Sequence, residues 1–128
     1  MDFSVRQHAD DDDVVTVEVS GDLDAETAGV FTCSMTTALA RYRFVVLDLT
    51  RTTFLDCRGL ACLLQAGRTA RRRGIWLRAA GVDGAARIVF DAFDARCALG
   101  GDASVDEEVR RAAAQVAASS PPSNLTPA

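Results

Sequence analysis

The sequence predicts a single α/β domain with a mixed sheet of four to five strands and about four helices, in the order β-β-α-β-α-β-α-(β)-α. Three observations lead there. Residues 3 to 8 and 14 to 20 alternate apolar and polar side chains around an acidic turn, the pattern of a half-buried hairpin. Phe44-Val45-Val46-Leu47-Asp48-Leu49 is a short apolar, β-branched run, the pattern of a strand buried on both faces. Between and after such runs, apolar residues recur at helical spacing. A chain of 128 residues is one domain by size and long enough to bury a single core.

The elements follow in order. FSVRQH, residues 3 to 8, is the first strand, Asp10 to Asp13 the turn, and VVTVEVS, residues 14 to 20, the second strand with Val15, Val17 and Val19 on one face. Gly21-Asp22-Leu23-Asp24 closes that strand, with Asp24 as N-cap and Glu26 in the first turn of a helix over 25 to 40. Ala28, Phe31, Met35, Ala38 and Leu39 form its inner face, while Val30, Cys33 and Thr37 lie opposite. After the buried strand, Thr50 to Thr53 reads as a loop and Asp56 as the N-cap of a helix to about Arg72, ended by Gly74. Leu60, Leu63, Leu64, Gly67 and Ala70 point inward from it, and Cys62 falls beside Arg58 on the outer side. Ile75-Trp76-Leu77 is a further strand. Asp83 caps a helix to about Ala92 with Ile88, Val89 and Ala92 inward, and a short final strand is expected around Cys97 to Leu99. Ser104-Val105-Asp106-Glu107 is a capping box for a last helix to about residue 118. Residues 119 to 128, SSPPSNLTPA, lack the apolar content to pack and read as a disordered tail beyond a domain over 1 to 118.

Composition excludes several classes. A net charge of −4 argues against a nucleic-acid partner, which draws on clustered excess positive charge. Arginines do cluster at Arg68 and Arg71 to Arg73, where a solvated helix end complements the macrodipole. No apolar run approaches the ~20 residues that span a bilayer, and the first residues lack the features of a signal peptide. The expectation is a cytoplasmic protein without a membrane partner. Four cysteines in that compartment do not make a disulfide framework. There is no C-x-x-C pair and a single histidine, His8, and neither a phosphate-binding glycine loop nor a dinucleotide fingerprint occurs. No cofactor or metal is expected. Cys57 and Cys62, five apart on one helix, sit roughly 8 to 9 Å apart at Cα, too far to bridge.

The junction at residues 56 to 60 has chemistry of its own. First-turn N–H groups lack intrahelical partners and carry the positive end of the macrodipole, so a side chain there can hold a phosphoryl group or present a polarised nucleophile. Cys57 is the side chain so placed, and Gly59 leaves room for another backbone to approach.

The order of strand, D-L-T-x-x-x-F-L-D-C-R-G-L and apolar helix resembles the STAS domain of bacterial anti-sigma factor antagonists, with Gly21-Asp22-Leu23-Asp24 similar to that family's G-[ED]-L-D turn and Gly81 to Phe93 to its third helix. The likeness covers roughly residues 3 to 117. It implies a STAS-like fold and a binding module, not an enzyme, that docks a kinase-type anti-sigma factor to regulate transcription. The docking edge it implies comprises Gly21, Asp22, Leu23, Asp24, Thr52, Thr53, Asp56, Cys57, Arg58, Gly59 and Leu60. Where the family carries its phosphoacceptor serine, this chain has Cys57 followed by Arg58. Control would therefore be independent of phosphorylation, or would act through oxidation of the thiol. A helix N-terminus and Arg58 favour a thiolate and Asp56 opposes it, which leaves the balance open. Two other readings stand beside this one. An enzyme using Cys57 as nucleophile would need His8 as its base. A scaffold or sensor STAS domain outside the anti-sigma pathway would use the outward Val30 and Cys33 patch to oligomerise, as a homodimer for instance, or to hold a small apolar ligand.

Overall fold

The computed structural model describes residues 2–119. Strand β1 (Ser4–Ala9) pairs antiparallel with β2 (Val14–Leu23), from Ser4 opposite Ser20 to Ala9 opposite Val15. The acidic turn between them is held by its own carboxylates. Asp11 Oδ1 accepts the N–H groups of Asp13 and Val14 at 2.7 and 3.2 Å, and Asp10 accepts the Thr16 hydroxyl at 2.6 Å. Helix α1 (Ala28–Arg41) leads to β3 (Phe44–Asp48), which runs parallel to β2. Strand β4 (Thr52–Leu55) and helix α2 (Cys57–Arg73) follow, then β5 (Trp76–Ala80), parallel to β3. Helices α3 (Gly84–Ala92), α4 (Ala95–Leu99) and α5 (Val105–Ser119) complete the chain. The main sheet order is β1-β2-β3-β5, with β4 joined to the end of β2.

Helices cover both faces of this sheet. On one, α1 and α2 pack their apolar stripes, Phe31, Met35, Ala38 and Leu39 with Leu60, Leu63, Ala66 and Ala70, over Val15, Val17, Val19, Val45 and Leu47. On the other, α5 places Ala112 and Val116 against Val14, Phe44 and Trp76. All five residues of β3 are therefore buried, as its unbroken apolar run predicts. Each large apolar side chain so enclosed contributes about 2 kcal/mol of burial.

Several expectations are corrected. Residues 21 to 23 are not a turn but the last rungs of β2, and Thr52-Thr53 is not a loop but part of β4, parallel to it. Helix α1 starts at Ala28 rather than 25, because Asp24 caps the preceding turn, accepting the N–H groups of Glu26 and Thr27 at 2.9 and 3.2 Å. Ile88 and Ala92 face outward on α3, Ile88 being 71% exposed. Phe90 and Ala86 are buried instead and set the rotation of that helix, which puts a residue two positions from Phe90 on the far side. The short strand expected around 97 to 99 is helix α4, because Ala95 and Leu99, one turn apart, both enter the core; only an isolated bridge of Gly100 to Ala79 remains of the pairing. Cys62 is half-buried towards α1, not on the outer side. The caps behave as read: Asp56, Asp83 and Ser104 accept the N–H groups of Gly59, Gly84 and Glu107 at 2.7, 2.8 and 3.2 Å. Of the expected tail, Ser119 closes α5 and the remainder lies outside the described residues.

Candidate functional site

One edge of the sheet gathers most of the residues singled out above. After β3 the chain turns at Asp48, whose Oδ1 accepts the Thr50 N–H at 2.9 Å and also the Thr50 hydroxyl. It then resumes its course along β2 as β4, with Gly21 opposite Thr52, Asp22 opposite Phe54, Leu23 opposite Leu55, and an irregularity between Gly21 and Asp22. Side chains tie the two together. The Thr52 hydroxyl donates to the Val19 carbonyl at 3.1 Å, and the Thr53 hydroxyl to Asp22 Oδ1 at 2.6 Å. Immediately beyond β4, Asp56 folds its carboxylate back onto the Gly59 N–H, and α2 begins.

The first turn of α2 is pressed against the end of β2. A Cβ at Gly59 would collide with the Leu23 carbonyl oxygen and stand 2.9 Å from Leu55 Cδ1. Gly59 therefore serves a close approach within the chain itself, and not the approach of a partner backbone as its position suggests in sequence. Gly21 likewise has φ +100° and lies under the Asp2 and Phe3 backbone.

These contacts divide the expected edge into support and surface. Gly21, Leu23, Thr52, Gly59 and Leu60 are buried and hold the edge from within. Thr53, Cys57 and Arg58 are exposed, and Asp22, Asp24 and Asp56 are half-buried at the rim. The structure adds Phe54, 47% exposed in the middle of β4 and absent from the residues picked by sequence. Alternation could not have found it, since β4 buries Thr52 and Leu55 and exposes the two residues between. The edge thus offers an aromatic ring, a thiol and a guanidinium above three carboxylates.

Cys57 is exposed in the first turn of a helix, and the carboxylate of the preceding Asp56 is engaged with a backbone N–H. His8 cannot serve as its base. It lies opposite Thr16, whereas Cys57 follows Leu55 opposite Leu23. Seven strand residues separate those rungs, about 23 Å at ~3.3 Å each. Cys33, on the outer face of α1, and Cys97 are also exposed, and all four thiols are free. The Cys97 sulfur donates to Asp94 at 3.4 Å, and that hydrogen bond, with the carboxylate's charge, pushes the thiol above its ordinary range. Among the described residues there is no cluster of side chains suited to a metal ion, and no helix long and apolar enough to cross a membrane.

Comparison with known proteins places this architecture. The family model described as STAS domain matches residues 6–116. No curated protein matches the chain. Among solved structures, the unphosphorylated anti-sigma factor antagonist SpoIIAA superposes with a TM-score of 0.74 at 16% identity, covering 87% of this chain and 97% of that one. An anti-sigma factor antagonist from Mycobacterium paratuberculosis gives 0.73 at 19% identity, covering 86% and 93%. A sulfate transporter family protein from Wolinella succinogenes gives 0.71 at 20% identity, covering 81% and 88%. With β4 extending β2, α2 springing from their shared end and the family match running over nearly all of the described chain, this protein belongs to the STAS domain family.

Proposed function

We propose that the chain is a cytoplasmic binding module of the anti-sigma factor antagonist type, docking a kinase-type anti-sigma factor and so releasing the sigma factor that it holds. The observation that carries this is the exposure of Cys57 and Arg58 at the start of α2, beside Asp22 and Thr53 and above a buried, hydrogen-bonded frame. Two of the similar structures are themselves described as anti-sigma factor antagonists. A rigid sheet end that presents loop and helix-end side chains suits a partner surface of about 800 Å². Asp22, Asp24, Thr53, Phe54, Asp56, Cys57 and Arg58 make the contact; Gly21, Leu23, Thr52, Gly59 and Leu60 shape it.

In this reading, position 57 is where a kinase partner would meet a hydroxyl, and here it meets sulfur. The partner binds but has no hydroxyl to phosphorylate there, so release is governed by something else, for which oxidation of the exposed thiol is the candidate. The test is incubation with the kinase-type anti-sigma factors of the same organism, ATP and Mg²⁺, followed by intact-mass measurement. The native chain forms a complex and gains no phosphoryl group at position 57, and Cys57→Ser gains one. Efficient labelling of the native chain at that position would contradict the proposal. The redox component fails separately if Cys57 reacts with a thiol probe no faster than free cysteine.

A scaffold or sensor role outside the anti-sigma pathway is the second reading. It draws on the outward Val30, 54% exposed, beside exposed Cys33, and on the likeness to a sulfate transporter family protein. A homodimer by mass in solution, with no anti-sigma factor binding, would favour it.

A further inference from the structure

A second surface lies away from this edge, between α1 and α2. The groove there has a volume of about 350 Å³; Phe31, Leu39 and Ala66 lie buried beneath it, and half-buried Cys62 and exposed Ala61 line it as well. Thr32, Thr36, Gln65 and Thr69 border it, and Arg68 and Arg73 stand on its wall. Both helices return antiparallel to the parallel strands they connect, so they run side by side in the same direction. The groove therefore has two ends: Phe31, Ala61 and Cys62 near the helix starts, and Arg68 and Arg73 towards the end of α2.

The charge of this face is unlike that of the molecule. The chain has 18 acidic residues against 14 arginines. Yet neither α1 nor α2 contains a single Asp or Glu, and together they carry Arg41, Arg58, Arg68, Arg71, Arg72 and Arg73. No acidic side chain lines the groove. Arg68 is held only by the neutral Gln65 Oε1, at 2.8 Å, and no ion pair involves Arg68 or Arg73 among the described residues. An apolar trough that ends at two guanidiniums without carboxylate partners is complementary to one ligand chemistry, an alkyl chain with an anionic head.

We propose that the groove between α1 and α2 binds a free carboxylate amphiphile of medium chain length, its head between Arg68 and Arg73 and its tail over Leu39, Ala66 and Cys62 towards Phe31. The size agrees. Cys62 to Arg68 spans about 9 Å along the helix and Cys62 to Arg73 about 16 Å, which an acyl chain of roughly eight to twelve carbons covers. The volume is also at the lower end of ordinary small-molecule sites. The proposal is independent of the anti-sigma reading, since it uses none of the edge residues.

The test is a titration of the full chain with decanoate below its micelle concentration, followed by the backbone amide resonances. Saturable shifts at Thr32, Thr36, Cys62, Gln65 and Thr69 are expected, with Cys62 alkylation slowed at least about fivefold and Cys33 alkylation unchanged. The double variant R68Q/R73Q, altered only at the groove wall, should bind about tenfold more weakly while retaining the native amide spectrum. Shifts absent or scattered over the surface would overturn the proposal. So would equal affinity for decanol or decyltrimethylammonium, which would remove the arginines' part, and so would binding to anionic phospholipid vesicles without binding of decanoate.

Discussion

At the scale of single residues, the candidate site depends on what lies under it. Gly59 admits no side chain, because the Leu23 carbonyl occupies the place of its Cβ. Gly59→Ala should therefore cost about 2 to 3 kcal/mol in urea unfolding, through forced displacement of the end of β2 or the first turn of α2. Asp56→Ala removes the acceptor of the Gly59 N–H and should cost about 1 kcal/mol in the same assay. Neither residue needs a partner to explain it. Cys57 is exposed, and under the proposed function it is there that a partner meets the chain. Cys97 donates to Asp94, which favours its protonated form, so its alkylation should rise only at higher pH than that of an ordinary exposed thiol. Asp94→Asn should bring that rise to lower pH; no change in the midpoint would dispose of the hydrogen bond's effect.

At the scale of elements, what could be read from the chain and what could not follow from how locally each element is determined. The caps at Asp56, Asp83 and Ser104 were legible because a cap is a contact between residues three or fewer apart. The buried strand at Phe44 was legible because sheet burial on both faces leaves an unbroken apolar run. Strand β4 was not legible, since four residues with both ends buried and the middle exposed have no periodicity, and only the distant β2 makes them a strand. The rotation of α3 was misread for the same reason: Ile88, Val89 and Ala92 share a helical face, but Phe90 is the one that finds the core. Most of the residues expected at the docking edge do lie together at one end of the sheet, yet their division into buried frame and exposed surface, with Phe54 on the surface, needed the folded chain. Element stability follows the same division. Amides of β3, enclosed on both faces, should exchange with solvent only at the global unfolding free energy, while those at the exposed end of β1, Gln7 to Ala9, exchange sooner. A hydrogen-exchange experiment in which β1 outlasts β3 would contradict this account of the core.

At the scale of the whole molecule, opposite ends of one sheet are built differently. The acidic turn at Asp10 to Asp13, bound by its own hydrogen bonds, closes one end beside His8, while the other end carries β4, Cys57 and Arg58. The likeness to solved structures, all at 20% identity or less among those compared, concerns this shared frame. The side chains on it are this chain's own, and the proposed function turns on the sulfur at position 57. The most direct measurement is the affinity of a kinase-type anti-sigma factor from the same organism for the native chain and for three variants. Asp22→Arg and Cys57→Trp alter the exposed edge, and His8→Arg alters the far end of the sheet. The account predicts that each edge variant weakens binding at least about tenfold while His8→Arg binds as the native chain does. Edge variants that bind undiminished, or a loss confined to His8→Arg, would contradict it.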